Sequence, residues 1–177
     1  MRWIWIDRIL ELEASRHCVA IKSVSAGEDV VHDHFPATSA HPAMPLLPQT
    51  LVIEGMAQTA GILVGHTGAF NEKVILAKIA RASFTADAPP GYCIRHTARL
   101  ERFDNSGAAT SGVSELLDPA TGDIEPLAEI ELVFSHLDRN RTGVRFPDHN
   151  FVFTDQFMDL LRRSGITPPN PSGIVSP

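Results

Sequence analysis

The sequence predicts an α+β fold in which an antiparallel sheet wraps around one long buried helix. Two observations carry that prediction. Leu51 to Val64 is almost wholly apolar, with Glu54, Gln58 and Thr59 as its polar residues. A helix apolar on nearly every side is one that the rest of the chain covers. Beyond Val74, four strand-type segments follow one another with turn residues between them. Consecutive strands joined by short turns pair antiparallel, and a sheet with one apolar face must bury it against something.

The elements follow in chain order. Ile4 to Leu12 and Arg16 to Val24 read as strands, with Ala26-Gly27-Glu28 as the turn that follows them. Residues 34–49 read as irregular. Pro36, Pro42, Pro45 and Pro48 fall within thirteen positions, which neither a helix nor a central strand tolerates. A helix opens at Gln49 or Thr50, with Thr50 as the expected N-cap, and ends near Gly65 or Gly68. Gly55 and Gly61 inside it each cost about 1 kcal/mol relative to alanine, so close approach of neighbouring strands is expected there. The strands Val74–Phe84, Tyr92–Phe103, Ser106–Leu117 and Ile124–Leu137 follow. Their turns are Pro89-Pro90-Gly91, Asp104-Asn105-Ser106-Gly107 and Asp118-Pro119-Ala120-Thr121-Gly122-Asp123. Phe151 to Arg163 has the spacing of a short helix, with Phe153, Phe157, Leu160 and Leu161 on one face. That face is expected to pack on the domain or on a second copy. The Pro-rich segment Thr167 to Gly173 is expected to be extended or disordered.

Composition removes several function classes. With 177 residues, 44% hydrophobic and 20% charged, the chain has the makeup of a globular domain. The net charge is −6 and the basic residues are scattered, which argues against a nucleic-acid groove. A local basic patch around Arg95, Arg99 and Arg102 remains open. The longest apolar run is too short and too interrupted to span a bilayer, so no membrane insertion is expected. Cys18 and Cys93 have no metal-type spacing, and two thiols do not make a disulfide framework. Cys93 is expected in the core, and a reducing cytoplasm is the expected setting. His32 and His34 stand at i and i+2, but no third ligand has a persuasive spacing, so neither metal nor cofactor is expected.

Two residues carry the chemistry. His34 lies beside a proline turn in His34-Phe35-Pro36, and Glu54 is a lone carboxyl on the apolar helix. Burying a carboxylate costs several kcal/mol unless it is paired, hydrogen-bonded or protonated, so it is either structural or kept for chemistry. Histidine titrates near neutrality and suits removal of a weakly acidic proton. A carboxyl raised in pKa by burial suits delivery of a proton to a leaving group. Gln58 lies one turn beyond Glu54 on the same face, where it can orient the carboxyl or simply support the helix. Backbone N–H groups from Gln49 to Leu51 open the helix and can bind a developing oxyanion. The structural alternatives are a solvated loop histidine at 34 and an acid at 54 bonded to loop backbone. His41 in the same loop is a further candidate to assist or replace His34.

Three motifs together resemble the hot-dog 3-hydroxyacyl-acyl carrier protein dehydratases. They are His34-Phe35-Pro36, the Met44-Pro45/Pro48 loop leading into Leu51-Val52-Ile53-Glu54-Gly55-Met56-Ala57-Gln58-Thr59-Ala60-Gly61, and Ala88-Pro89-Pro90-Gly91. The strands at 76–84 and 127–134 are also similar, so the likeness covers roughly residues 4–137. The glutamate helix is its most specific part. A glutamate at 54, where an aspartate could stand, resembles the branch that dehydrates without isomerising.

The resemblance implies a hot-dog dimer formed by joining two sheets, with a trimer of dimers as the larger assembly it allows. Each site would combine His34 of one subunit with Glu54 of the other. Gln58, Gln49, Thr50 and Pro48 would bind substrate, and an apolar tunnel would hold the acyl chain. The implied reaction converts a (3R)-3-hydroxyacyl thioester on acyl carrier protein, or on coenzyme A, to the trans-2-enoyl thioester in fatty-acid or related acyl-chain synthesis. The alternative is a hot-dog acyl thioesterase or a non-catalytic acyl-thioester binding protein. Residues 1–137 would form the dehydratase-like domain and 138–177 a C-terminal extension with a short helix and Pro-rich tail. Three departures from the family pattern stand out: Gln49 in place of a glycine, a longer spacing from His34 to Glu54, and the extension itself.

Overall fold

The computed structural model of the chain describes residues 3–137 and 152–167. Among them, six strands make one antiparallel sheet: β1 (Arg8–Glu13), β2 (His17–Ser23), β3 (Val74–Phe84), β4 (Cys93–Asp104), β5 (Gly107–Leu117) and β6 (Ile124–His136). Their spatial order is β1-β2-β4-β5-β6-β3. The helices are α1 (Asp29–Asp33), α2 (Gln49–Thr67) and α3 (Asp155–Arg163). At 19 residues α2 is about 28 Å long, enough to lie across the sheet, and it packs against β2 through β6. This is the α+β, hot-dog arrangement that the sequence implies.

Every residue of α2 from Gly55 to Gly65 is buried except Gly61, which is half-buried. The expected strands appear within a residue or two of their predicted ends from Val74 onward. Four expectations need correction. Asp29–Asp33 folds as a short helix that the strand-like reading of the N-terminal region did not contain. Thr50 is not the N-cap: Pro48 takes that place, and no side chain caps the helix. Its fixed φ and extended ψ end the loop at the point where helical geometry begins. Cys93 is only half-buried, whereas Cys18 is the core thiol, and burial pushes its pKa up to about 12. Arg95 and Arg102 do not form an open basic patch, since Arg95 pairs with Glu115 and Arg102 with Asp104.

Of the two helix glycines, Gly55 has the expected role. A Cβ there would stand 2.6 Å from His96 Nε2 and 3.1 Å from the Trp5 carbonyl oxygen. Gly61 does not: its nearest neighbour would be an ordinary 3.7 Å contact with Phe134. Gly65 is the tighter case, because Phe153 of the C-terminal segment sits directly on it, 2.3 Å from a Cβ position.

The described part of the C-terminal extension shares the core of the sheet and α2. Phe153, Met158, Leu160 and Leu161 belong to that one cluster. Phe153 meets Phe70 edge to face at 4.9 Å, and the Ile9 amide donates to Ser164 Oγ at 3.0 Å. The helix begins at Asp155, later than the expected start. Phe157 is half-buried and Phe153 precedes the first turn. Residues 168–173 lie outside the described residues.

His96 on β4 is fully buried under α2, with Nδ1 2.9 Å from Ser114 Oγ. Burial lowers its pKa from 6.5 to about 3, so the folded chain keeps it neutral. The unfolded chain binds a proton there below about pH 6.5 and the folded chain only near pH 3. Its contribution is therefore complete above the unfolded value and is lost as pH falls between the two. We expect stability from urea unfolding to drop by about 2 kcal/mol from pH 7 to pH 5 through this group alone. The same titration on His96→Gln should have a clearly shallower slope; an equal slope would assign the acid sensitivity elsewhere.

Candidate active site

The proline loop presents His34 at the C-terminal end of α1. Val31 anchors α1 in the core, and the buried Lys22 ammonium, 2.5 Å from Glu28 Oε1, ties the residue just before the helix to β2. The pair fixes the entry to α1 against β2. Further on, Thr38 N–H donates to His41 O, Met44 N–H to Phe35 O, and Leu47 bridges to Ala88 beside the Pro89-Pro90 turn. His34 itself is exposed, its ring edge-on to Phe35 at 4.5 Å. It lines a cavity of about 410 Å³ together with Phe35, Pro48, Gln49, Thr50 and Asp87. His41 is exposed and does not line this cavity; its Nδ1 lies 3.0 Å from Pro42 O.

The opening turn of α2 forms one wall. Leu51 and Val52 both donate to Pro48 O at 2.8 and 3.3 Å. Leu51 is therefore not a free oxyanion donor, and the amides of Gln49 and Thr50 are the first-turn N–H groups left outside that bonding. The Gln49 side chain points its amide to Asp87 Oδ1 at 3.5 Å, a contact at the limit of a hydrogen bond.

Glu54 lies elsewhere. It is half-buried, less enclosed than the apolar helix around it implies, and it lines a separate groove of about 260 Å³. Its Oε1 accepts from Gln58 Nε2 at 2.8 Å and from Trp3 Nε1 at 3.2 Å. Among the described residues Oε2 accepts no hydrogen bond. Gln58 is itself fixed: its Oε1 accepts from Trp5 N–H at 2.8 Å and its Nε2 also donates to Trp3 O at 3.1 Å. All three bonds would be lost with the side chain, leaving Glu54 Oε1 with only the Trp3 indole among the described residues. Gln58 thus links the Glu54 carboxyl to the N-terminal segment.

The structure brings together His34, Pro48, Gln49 and Thr50 on one cavity, and Glu54 with Gln58 on another. Among the described residues, His34 and Glu54 line separate cavities. Sequence reasoning missed Trp3, whose indole bonds Glu54, although two tryptophans within five residues were a visible signal. It also missed Asp87, and the aromatic residues of the extension that line the Glu54 groove. Among the described residues no group of three or more His, Cys, Asp or Glu is placed to hold a metal ion. No helix among them is long and apolar enough to cross a membrane.

Comparison with known proteins bears on the family and the fold. Residues 3–111 match the model of the FabA-like domain. The chain is 32% identical over 148 residues to the 3-hydroxyacyl-acyl-carrier-protein dehydratase FabZ of Solibacter usitatus (strain Ellin6076), covering 82% of this chain and 83% of that one. Among solved structures it resembles the dehydratase heterocomplex ApeI:P from Xenorhabdus doucetiae, with a TM-score of 0.53, 16% identity, and coverage of 78% of this chain and 85% of that one. It also resembles an acyl-CoA hydrolase from Agrobacterium tumefaciens, with a TM-score of 0.54, 19% identity, and coverage of 71% and 45%. At those identities the two structures speak for the fold alone.

Proposed function

We infer from membership of the FabA-like domain family, to which this chain belongs, that it dehydrates 3-hydroxyacyl thioesters on acyl carrier protein in fatty-acid synthesis. The observation that carries the reading is Glu54, a carboxyl pinned through one oxygen by Gln58 and Trp3 at the mouth of an apolar groove. His34 removes the proton from C2 as the developing oxyanion is held by the Gln49 and Thr50 amides. The electron pair forms the C2–C3 double bond while the C3–O bond breaks. Glu54 protonates or holds the departing hydroxyl, which leaves as water. The (3R) substrate and trans-2-enoyl product are the finer form of this assignment. The catalytic unit spans residues 1–137, with 138–177 an extension, and the two free thiols, Cys18 and Cys93, fit a reducing cytoplasm.

A homodimer completes the site, His34 of one subunit meeting Glu54 of the other. Two observations support it. His34 and Glu54 line different cavities in the single chain. In addition, among the described residues β3 pairs only with β6, and residues 76–83 are exposed on both faces, including Leu76 and Ile79. A long apolar edge strand with open N–H and C=O groups is a template for pairing with another chain.

The test is incubation with 3-hydroxybutyryl and longer acyl carrier protein thioesters, scored for enoyl product against free thiol. Enoyl product without thiol release is expected. Thiol release without enoyl product would replace the dehydratase with a thioesterase.

A further inference from the structure

The groove at Glu54 is partly built by a segment outside the family-matched residues 3–111. From Glu54 the groove follows one face of α2 through Ala57, Gly61 and Ile62, about 10 Å along two turns. Val152, Phe153 and Phe157 of the C-terminal extension close over it. Phe153 marks the end farthest from Glu54. It lies on bare helix backbone at Gly65, where any side chain would collide with its ring, and it is braced edge-on by Phe70. Phe157 is half-buried, so part of its ring faces the groove while Met158, Leu160 and Leu161 anchor α3 in the core. Apart from Glu54 and Gln58 at the mouth, the lining is apolar.

We propose that Val152, Phe153 and Phe157 form the end wall of the acyl site, so that the C-terminal extension sets the longest acyl chain that binds. The inference rests on the acyl-thioester reading above. The occupant is the hydrocarbon tail of the substrate, because the groove is apolar and starts at the carboxyl proposed to act on C3. Each methylene that fits inside tightens binding about fourfold, and a methylene held back by the wall adds nothing. Removing part of the wall must therefore move the break in affinity to longer chains without altering short ones.

Saturated acyl-pantetheine thioesters from butyryl to tetradecanoyl, which have no 3-hydroxyl to eliminate, are titrated into the full-length protein. For the wild type, affinity should rise with length and then level off. Phe157→Ala should shift that break to longer chains and Phe157→Trp to shorter ones, with butyryl affinity kept within about twofold, since one buried methylene is worth more than that. The same break in both variants, or a uniform loss at every length, would overturn the proposal. A wild type that binds no acyl thioester would overturn it together with the dehydratase reading. A length break that shifts as expected in a protein producing no enoyl product would support the end wall and sink the dehydratase reading alone.

Discussion

Mixing His34→Ala chains with Glu54→Ala chains should restore dehydration that neither variant performs alone. Each single variant loses a group that transfers or directs a proton, a loss of about 10²- to 10⁴-fold in kcat. In a two-fold dimer whose sites each take His34 from one subunit and Glu54 from the other, a mixed dimer contains one doubly damaged site and one intact site. With free exchange half of the dimers are mixed, so recovery should approach about a quarter of wild-type activity. No recovery, with mixed dimers demonstrated by mass, would place both residues in one chain's own site. Full activity in either single variant would remove that residue from the chemistry. The structural motive is plain: one residue sits on an exposed loop end, the other on α2, in separate cavities.

Gly55→Val should damage the fold strongly, at the point where α2 crosses β4. Valine stands poorly in a helix, although replacing glycine by itself recovers about 0.5 kcal/mol or less of propensity. Against that small gain, the new Cβ would lie 2.6 Å from His96 Nε2 and 3.1 Å from the Trp5 carbonyl. Neither neighbour yields easily. The His96 ring is buried and bonded to Ser114, and the Trp5 backbone is held by Gln58. Overpacking of this kind costs about 1–3 kcal/mol, and the branched methyls add to it. A urea unfolding curve should show a loss of at least about 2 kcal/mol, with Glu54 next in sequence displaced and activity reduced. A loss under about 0.5 kcal/mol would mean that the sheet and helix can separate here at little cost.

The parts of the fold legible in the sequence are those governed by local rules. Four prolines in thirteen residues could only be a loop, the apolar run 51–64 could only be covered, and the β3 to β6 strands declared themselves through their turns. Where sequence reading failed, a distant partner decided the outcome. Thr50 has a good capping side chain, but Pro48 enters the helix first and takes the position. Gly55 and Gly61 look alike in sequence, and only the passage of β4 with His96 above one of them separates their roles. Cys93 lies in a strand like Cys18, but its place opposite Ser23 near the strand end leaves it half-open.

The candidate site divides the same way. The sequence by itself offered His34 and Glu54 as candidates and determined the spacing of Gln58 one turn from Glu54, because residue type and helical period are local properties. Only the tertiary structure decided that Trp3 clamps the carboxyl from fifty-one residues away, that His34 and Glu54 face different cavities of one chain, and that the C-terminal aromatics roof the groove. Those facts depend on which surfaces the sheet brings against α2, and contacts between distant segments leave no periodic trace along the chain.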